Sequence, residues 1–149
     1  MPDELLRPTI GAGVDMSVRP WRLMSQAYVA FFGGVIGSTI IASLNARRLG
    51  VDAAKRRLIV LIGAGGLVAV IAVFTLLNGD DDLGSGFGVG IRVVAILTCL
   101  AQLRLQRPMD RAFQLRGTDY GSLWWPGIAA TIGGAIAEAL ILLVAARVL

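Results

Sequence analysis

Two ionisable side chains stand inside stretches otherwise built from apolar and small residues. Arg92 falls in the segment from Leu83 to Leu103, and Glu138 in the segment from Leu123 to Ala146. A charge at the centre of a bilayer costs about 2.5–3.5 kcal/mol on insertion scales, so such residues face protein, pair with one another or line a pathway. Arg92 comes nine residues after Leu83, and Glu138 comes eight residues before Ala146. At 1.5 Å per helical residue, both sit about 12–14 Å from the same membrane surface.

The helical faces agree with that match. Steps of three and four from Arg92 reach Gly84, Ser85, Gly88, Ala95, Cys99 and Gln102. From Glu138 they reach Gly127, Ala130, Thr131, Gly134, Ala145 and Ile141. Small residues let helices approach closely in lipid, so both charges are expected to face protein. Two chemistries fit. In one, Arg92 and Glu138 form an intramembrane ion pair that clamps spans three and four. In the other, Glu138 is a proton or cation transport site and Arg92 tunes it.

The elements that must position these residues follow from composition. The chain has 149 residues, of which 56% are hydrophobic and 16% charged, with no histidine and one cysteine. Its mean hydropathy is +0.73. Soluble domains carry roughly 25% charge, so the balance points to a membrane protein. Without histidine, most zinc, haem and Ser-His-Asp chemistry is excluded, and one cysteine gives no intrachain disulfide. Roughly 20 apolar residues span a bilayer as a helix. Four such stretches are present, at about 23–46, 58–77, 83–103 and 123–146. The expectation is an all-α fold, an integral membrane four-helix bundle of residues 23–149 preceded by an irregular tail over 1–22. The late, long first apolar run argues against a signal peptide.

Arginine placement suggests an orientation, because cytoplasmic loops carry excess Lys and Arg. The connection over 47–57 holds Arg47, Arg48, Lys55, Arg56 and Arg57, and that over 104–121 holds Arg104, Arg107, Arg111 and Arg116. Those nine would lie inside. Arg7, Arg19, Arg22 and Arg147 would lie outside, together with both termini and the acidic run Asp80–Asp82. Residues 106–116 could form a short amphipathic helix on the membrane surface. Trp21, Tyr120, Trp124 and Trp125 suit interfacial anchoring or ordinary packing.

Gly33 and Gly37 form a Gly-x-x-x-Gly pattern in the first span, and Gly88 and Gly134 lie on the charged stripes; all four are expected at close helix contacts. The glycine run from Gly84 to Gly90 lacks the strand and Lys-Ser/Thr of a phosphate loop. The basic loops would attract anionic lipid at about 1 kcal/mol per basic residue, or an acidic membrane-protein partner. A homo-oligomer also fits, whereas nucleic acid does not, because the membrane accounts for the basic residues. No cofactor, metal or enzymatic chemistry is implied. The sequence therefore reads as a small polytopic protein of the cell inner (plasma) membrane of a GC-rich bacterium. Its expected role is a non-enzymatic scaffold or accessory subunit. The alternative is a small oligomeric transporter or channel built on Glu138 and Arg92.

Overall fold

The computed structural model describes residues 17–77, 84–117 and 119–148. The acidic run Asp80–Asp82 and residues 1–16 lie outside the described residues. The chain is all-α: a 3-10 turn at Leu23–Ser25, then α1 (Gln26–Arg48), α2 (Ala53–Leu77), α3 (Gly84–Gln114) and α4 (Trp124–Val148). By length and composition, each of the four helices could cross a membrane. Within the span of α4 only 17% is buried in the bundle. Phe32, Leu61, Val68, Leu97, Ile136 and Leu143 are among the large apolar side chains left on the surface. An apolar exterior of that extent belongs in lipid, and the chain is a multi-pass membrane protein.

The helix α1 does not run straight. Gly34 has φ 70° and ψ −164°, a combination open essentially to glycine alone. There the chain reverses. The Trp21 N–H donates to Asn45 Oδ1 at 2.7 Å, and Asn45 Nδ2 donates to the Trp21 carbonyl at 3.2 Å. Arg48 lies over the Trp21 ring at 3.9 Å and donates to the Arg19 carbonyl at 3.0 Å. In a straight helix, residues 24 apart would be separated by about 36 Å. The residues over 23–33 and 35–45 are instead two arms of equal length, about 16 Å each, folded against one another. Val29 packs on Ile41, and Leu23 on the cluster holding Ala42 and Ala46. Both ends of α1 therefore lie at the same end of the bundle.

The remaining helices follow from that hairpin. A Schellman turn ends α1: the Gly50 N–H donates to the Arg47 carbonyl at 3.1 Å and the Val51 N–H to the Ala46 carbonyl at 2.9 Å. Gly50, at φ 71°, supplies the left-handed residue that this turn requires. Asp52 then caps α2 by accepting from the Lys55 N–H at 2.9 Å, a bond that holds its carboxyl below the usual range. Helix α3 packs on α2, α1 packs on all three other helices, and α3 and α4 make almost no direct contact. Trp21 meets Gly121 in a short bridge just before α4. Trp21, the N-terminus of α2, the C-terminus of α3 and the N-terminus of α4 thus share one end, and Val148 lies at the other.

Two expected connections prove to be mostly helix. Arg47 and Arg48 belong to the last turn of α1, and Lys55, Arg56 and Arg57 to the first turns of α2. Helix α3 continues to Gln114, so Arg104, Arg107 and Arg111 lie on it and only Arg116 is in a turn. It passes through Pro108 without ending. Proline removes one hydrogen bond, and because Arg104 and Arg107 beside it are exposed, solvent or a headgroup can satisfy the freed carbonyl. The surface helix expected over 106–116 is instead this extension. Trp21, 2% exposed, packs internally and is no anchor, whereas Trp124 and Trp125 are exposed.

Gly34 controls the reversal. A Cβ there would sit 2.6 Å from the Glu138 carboxyl carbon, in addition to the backbone strain. Gly34→Ala is expected to destabilise the protein by more than the about 1–3 kcal/mol of strain alone. Thermal unfolding in mild detergent should show a clear loss of midpoint, whereas Gly133→Ala, with open space before it, should unfold like the parent.

Candidate functional site

A helix interrupted inside the bundle leaves carbonyls without partners at the end of its first half and N–H groups without partners at the start of its second. Lipid offers no partner for them. The structure answers with the two charges singled out in the sequence. Glu138 accepts from the Val35 N–H at 2.8 Å through Oε2, and the Ile36 N–H lies beside the same carboxylate. Arg92 donates through Nη1 to the Phe31 carbonyl, and its guanidinium lies 5.8 Å from the centre of the Phe31 ring. Each charge also has the sign that the dipole of its half-helix favours: negative at an N-terminus, positive at a C-terminus.

The glycines bring α4 close enough for this. A Cβ on Gly33 would lie 2.7 Å from Thr131 Cα, one on Gly37 2.7 Å from the Ala130 carbonyl oxygen, and one on Gly134 2.6 Å from Gly37 Cα. Gly33, Gly37 and Gly134 therefore form a backbone-to-backbone contact between α1 and α4. Gly88 differs. It is exposed, a Cβ there would meet nothing within 4 Å, and it borders a crevice instead of a helix contact.

Arg92 and Glu138 face the same space but do not form the direct ion pair expected between spans three and four. The hairpin stands between α3 and α4, and each charge is engaged by a different end of the broken helix. Beyond the hairpin tip, a crevice of about 200 Å³ opens between α3 and α4, lined by Phe32, Gly34, Gly88, Arg92 and Glu138 among others. Glu138 is 6% exposed. Arg92 has an exposed flank, on a wider groove of about 550 Å³ lined by Phe31, Val89, Val93 and Leu97.

The basic residues gather at the opposite end. Arg47, Arg56 and Arg57 converge with Ser43 on a crevice of about 310 Å³. Arg48 is committed to Trp21. Because α1 reverses, Arg19 and Arg22 join this end. Among the described residues it holds eleven basic side chains, with Arg147 near the far end and Arg92 at the tip. Asp110, expected in a loop, is buried on α3 and accepts from Tyr120 at 2.9 Å and Gln114 at 3.1 Å.

Sequence reasoning placed Gln102 on the protein-facing stripe of Arg92 but missed that it belongs to a set of buried amides. Asn45, Gln102 and Gln106 are fully buried. Asn45 Nδ2 donates to Gln106 Oε1 at 3.0 Å, and Gln102 Nε2 donates to Thr39 Oγ1 at 2.9 Å and the Ile59 carbonyl at 3.1 Å. The signal was present: Gln102 and Gln106 stand one turn apart on the stripe that carries Arg92. Comparison with protein families, curated proteins and solved structures finds no match for this chain.

Because the two charges cap separate backbone ends, their loss should not be mutually compensating. Glu138→Leu leaves a buried N–H unpaired, at about 1–3 kcal/mol, while Glu138→Gln retains an acceptor and should lose less. The Arg92→Leu/Glu138→Leu double variant should be at least as unstable as the worse single in detergent unfolding. Recovery of the double variant would instead indicate a direct pair.

Proposed function

We propose that the protein is a small membrane transport protein, a channel or transporter whose central site is the hairpin tip with Arg92 and Glu138. The observation that carries this reading is the broken helix. Irregular backbone at membrane depth is tolerated where it is buried in protein or lines an aqueous cavity, and transporters use half-helix ends in this way to hold ions. Here two half-helix ends, their two charged partners and an open crevice coincide. A scaffold would need none of these; a sealed ion pair would have favoured one.

The orientation follows from the arginines. With the chain entering α1 and leaving it at one end, the eleven basic residues of that end face the cytoplasm of a bacterial inner membrane, by the positive-inside rule. Trp21 lies at that end, and the Val148 end of α4 lies outside. This replaces the arrangement with both termini outside. Helices α2, α3 and α4 are then full crossings, and α1 is a re-entrant hairpin from the cytoplasmic side. The crevice at the tip opens to the outside.

Two partners fit this placement. Arg47, Arg56 and Arg57 stand where anionic lipid headgroups lie, and Arg104, Arg107, Arg111 and Arg116 continue the same face. The groove beside Arg92 leaves a charge flank toward lipid, and a second copy covering it would remove that cost. The accessory-subunit reading shares this basic face and differs in requiring no flux.

Proteoliposomes test the proposal. Proton, potassium and chloride fluxes measured in parallel should show at least one carried by the parent and reduced about tenfold or more by Glu138→Gln. Arg147→Gln should leave it unchanged. Equal flux through the parent and the Glu138→Gln variant would contradict the reading, as would no flux of any solute. Orientation is checked separately in a Cys99→Ser background. Val18→Cys and Arg147→Cys should react with impermeant maleimide from opposite sides of the membrane.

A further inference from the structure

We infer that the crevice between the end of α1 and the start of α2 is a built site for the phosphate of an anionic phospholipid. The inference is independent of the transport reading. It also goes beyond a general attraction of the basic end for lipid, because it assigns one headgroup to one place. The crevice, of about 310 Å³, is lined by Ser43 and Arg47 of α1 and by Ala53, Arg56, Arg57 and Val60 of α2. Three guanidiniums therefore share one recess. Like charges gathered in this way repel, and an anion between them removes that cost. The planar fork of arginine matches phosphate oxygens two at a time.

The surroundings leave these donors to a ligand. Among the described residues, none of the three arginines is paired with a carboxylate. Asp52, just before α2, is held by Lys55, whose ammonium lies at 3.2 Å and whose N–H donates at 2.9 Å. Asp110 accepts from Tyr120 and Gln114. Neither carboxylate lines the crevice. Nε of Arg56 is buried and has no hydrogen-bond partner. A buried donor on a charged group is costly when unpaired, so this atom marks where an acceptor belongs. The Ser43 hydroxyl supplies a neutral donor from the α1 wall. Helix α2 begins at Ala53, and the positive end of its dipole favours an anion in the same recess.

The helix surfaces beside the crevice identify the phosphate as that of a lipid. Ser43 and Arg47 stand one turn apart on α1, and one turn closer to the hairpin tip the same stripe carries Ile40, which is exposed. On α2 the residues one turn beyond Arg56 and Arg57 are Val60 and Leu61, both exposed. On both helices, basic side chains thus give way to exposed apolar ones within a turn. A phospholipid has the same order, with its phosphate at the surface and its acyl chains below. A free phosphate would use the arginines and leave Ile40, Val60 and Leu61 without a role. A headgroup amine would bring a fourth positive charge among three guanidiniums, so the site selects phospholipids without one. A phosphate held by Arg47 together with Arg56 and Arg57 joins the second arm of the hairpin to α2.

Native mass spectrometry of the full chain in neutral detergent tests the site, with dioleoyl phosphatidylglycerol as the probe. The parent should retain this lipid in a saturable manner and bind dioleoyl phosphatidylethanolamine about tenfold more weakly. Arg56→Gln and Arg57→Gln should each weaken phosphatidylglycerol binding about tenfold, the loss of one charged hydrogen-bonding partner. Arg57 is exposed, so its variant reads the site even where Arg56→Gln lowers the folded yield. Ser43→Ala leaves every charge in place and should weaken binding by a smaller factor. The control is Arg104→Gln/Arg107→Gln, which removes two exposed charges of the same basic end and should bind as the parent does. Equal losses in the control and the crevice variants would overturn the inference, because charge alone would then account for binding. So would equal affinity for phosphatidylethanolamine, or unchanged binding in both arginine variants. Displacement of the lipid by inorganic phosphate at equal concentration would overturn the lipid assignment and give the site to free phosphate.

Discussion

The bundle depends on one contact, the carboxylate of Glu138 against the N-terminus of the second arm of α1. At Gly34 the helix stops donating and accepting along its own axis, and the groups it abandons lie deep among apolar side chains. Leaving such groups bare costs several kcal/mol each in hydrocarbon. A carboxylate on one end and a guanidinium on the other meet both the hydrogen-bonding need and the sign of the two half-helix dipoles. Charges that composition makes conspicuous are thus explained by a backbone that composition hides.

From that constraint the rest of the architecture follows. A hairpin with arms of about 16 Å reaches only about half-way through a 30 Å hydrocarbon layer. It holds α3 and α4 apart below its tip and leaves a gap between them above it. The gap is the crevice on which Arg92 and Glu138 open. The glycines of α1 and α4 serve the same end, because only a backbone-to-backbone approach lets a side chain as short as glutamate reach the Val35 N–H. The reversal also places Arg19 and Arg22 with the other basic residues, giving the molecule one strongly basic end.

Much of this was legible from sequence. Long apolar runs located the helices, and the isolation of Arg92 and Glu138 within them drew attention to both. Their matched depths bring them to one crevice. The reversal was not legible, because hydropathy records whether a residue tolerates lipid and carries no direction of travel. Gly33, Gly34 and Gly37 read as a packing motif, and Gly33 and Gly37 do pack on α4; nothing in the pattern separated Gly34, whose φ of 70° turns the chain. The ion pair was inferred from depth and helical face, and neither can show that an intervening backbone claims both charges. Arginines near the ends of α2 and α3 read as loop because charge marks an interface, whereas a helix can continue through an interface with its side chains extended to water. Gln102 read only as a member of the Arg92 stripe, and Asn45 and Gln106 carry no charge, so counting charges passed over them.

The central claim is the fold of α1, and a distance across it tests that claim most directly. Spin labels at Arg22→Cys and Arg47→Cys, in a Cys99→Ala background, can be measured by double electron–electron resonance in nanodiscs. A hairpin folded at Gly33–Gly34 predicts a distribution centred below about 20 Å. A continuous helix would separate the two positions by about 37 Å, and a distribution centred there would contradict the account.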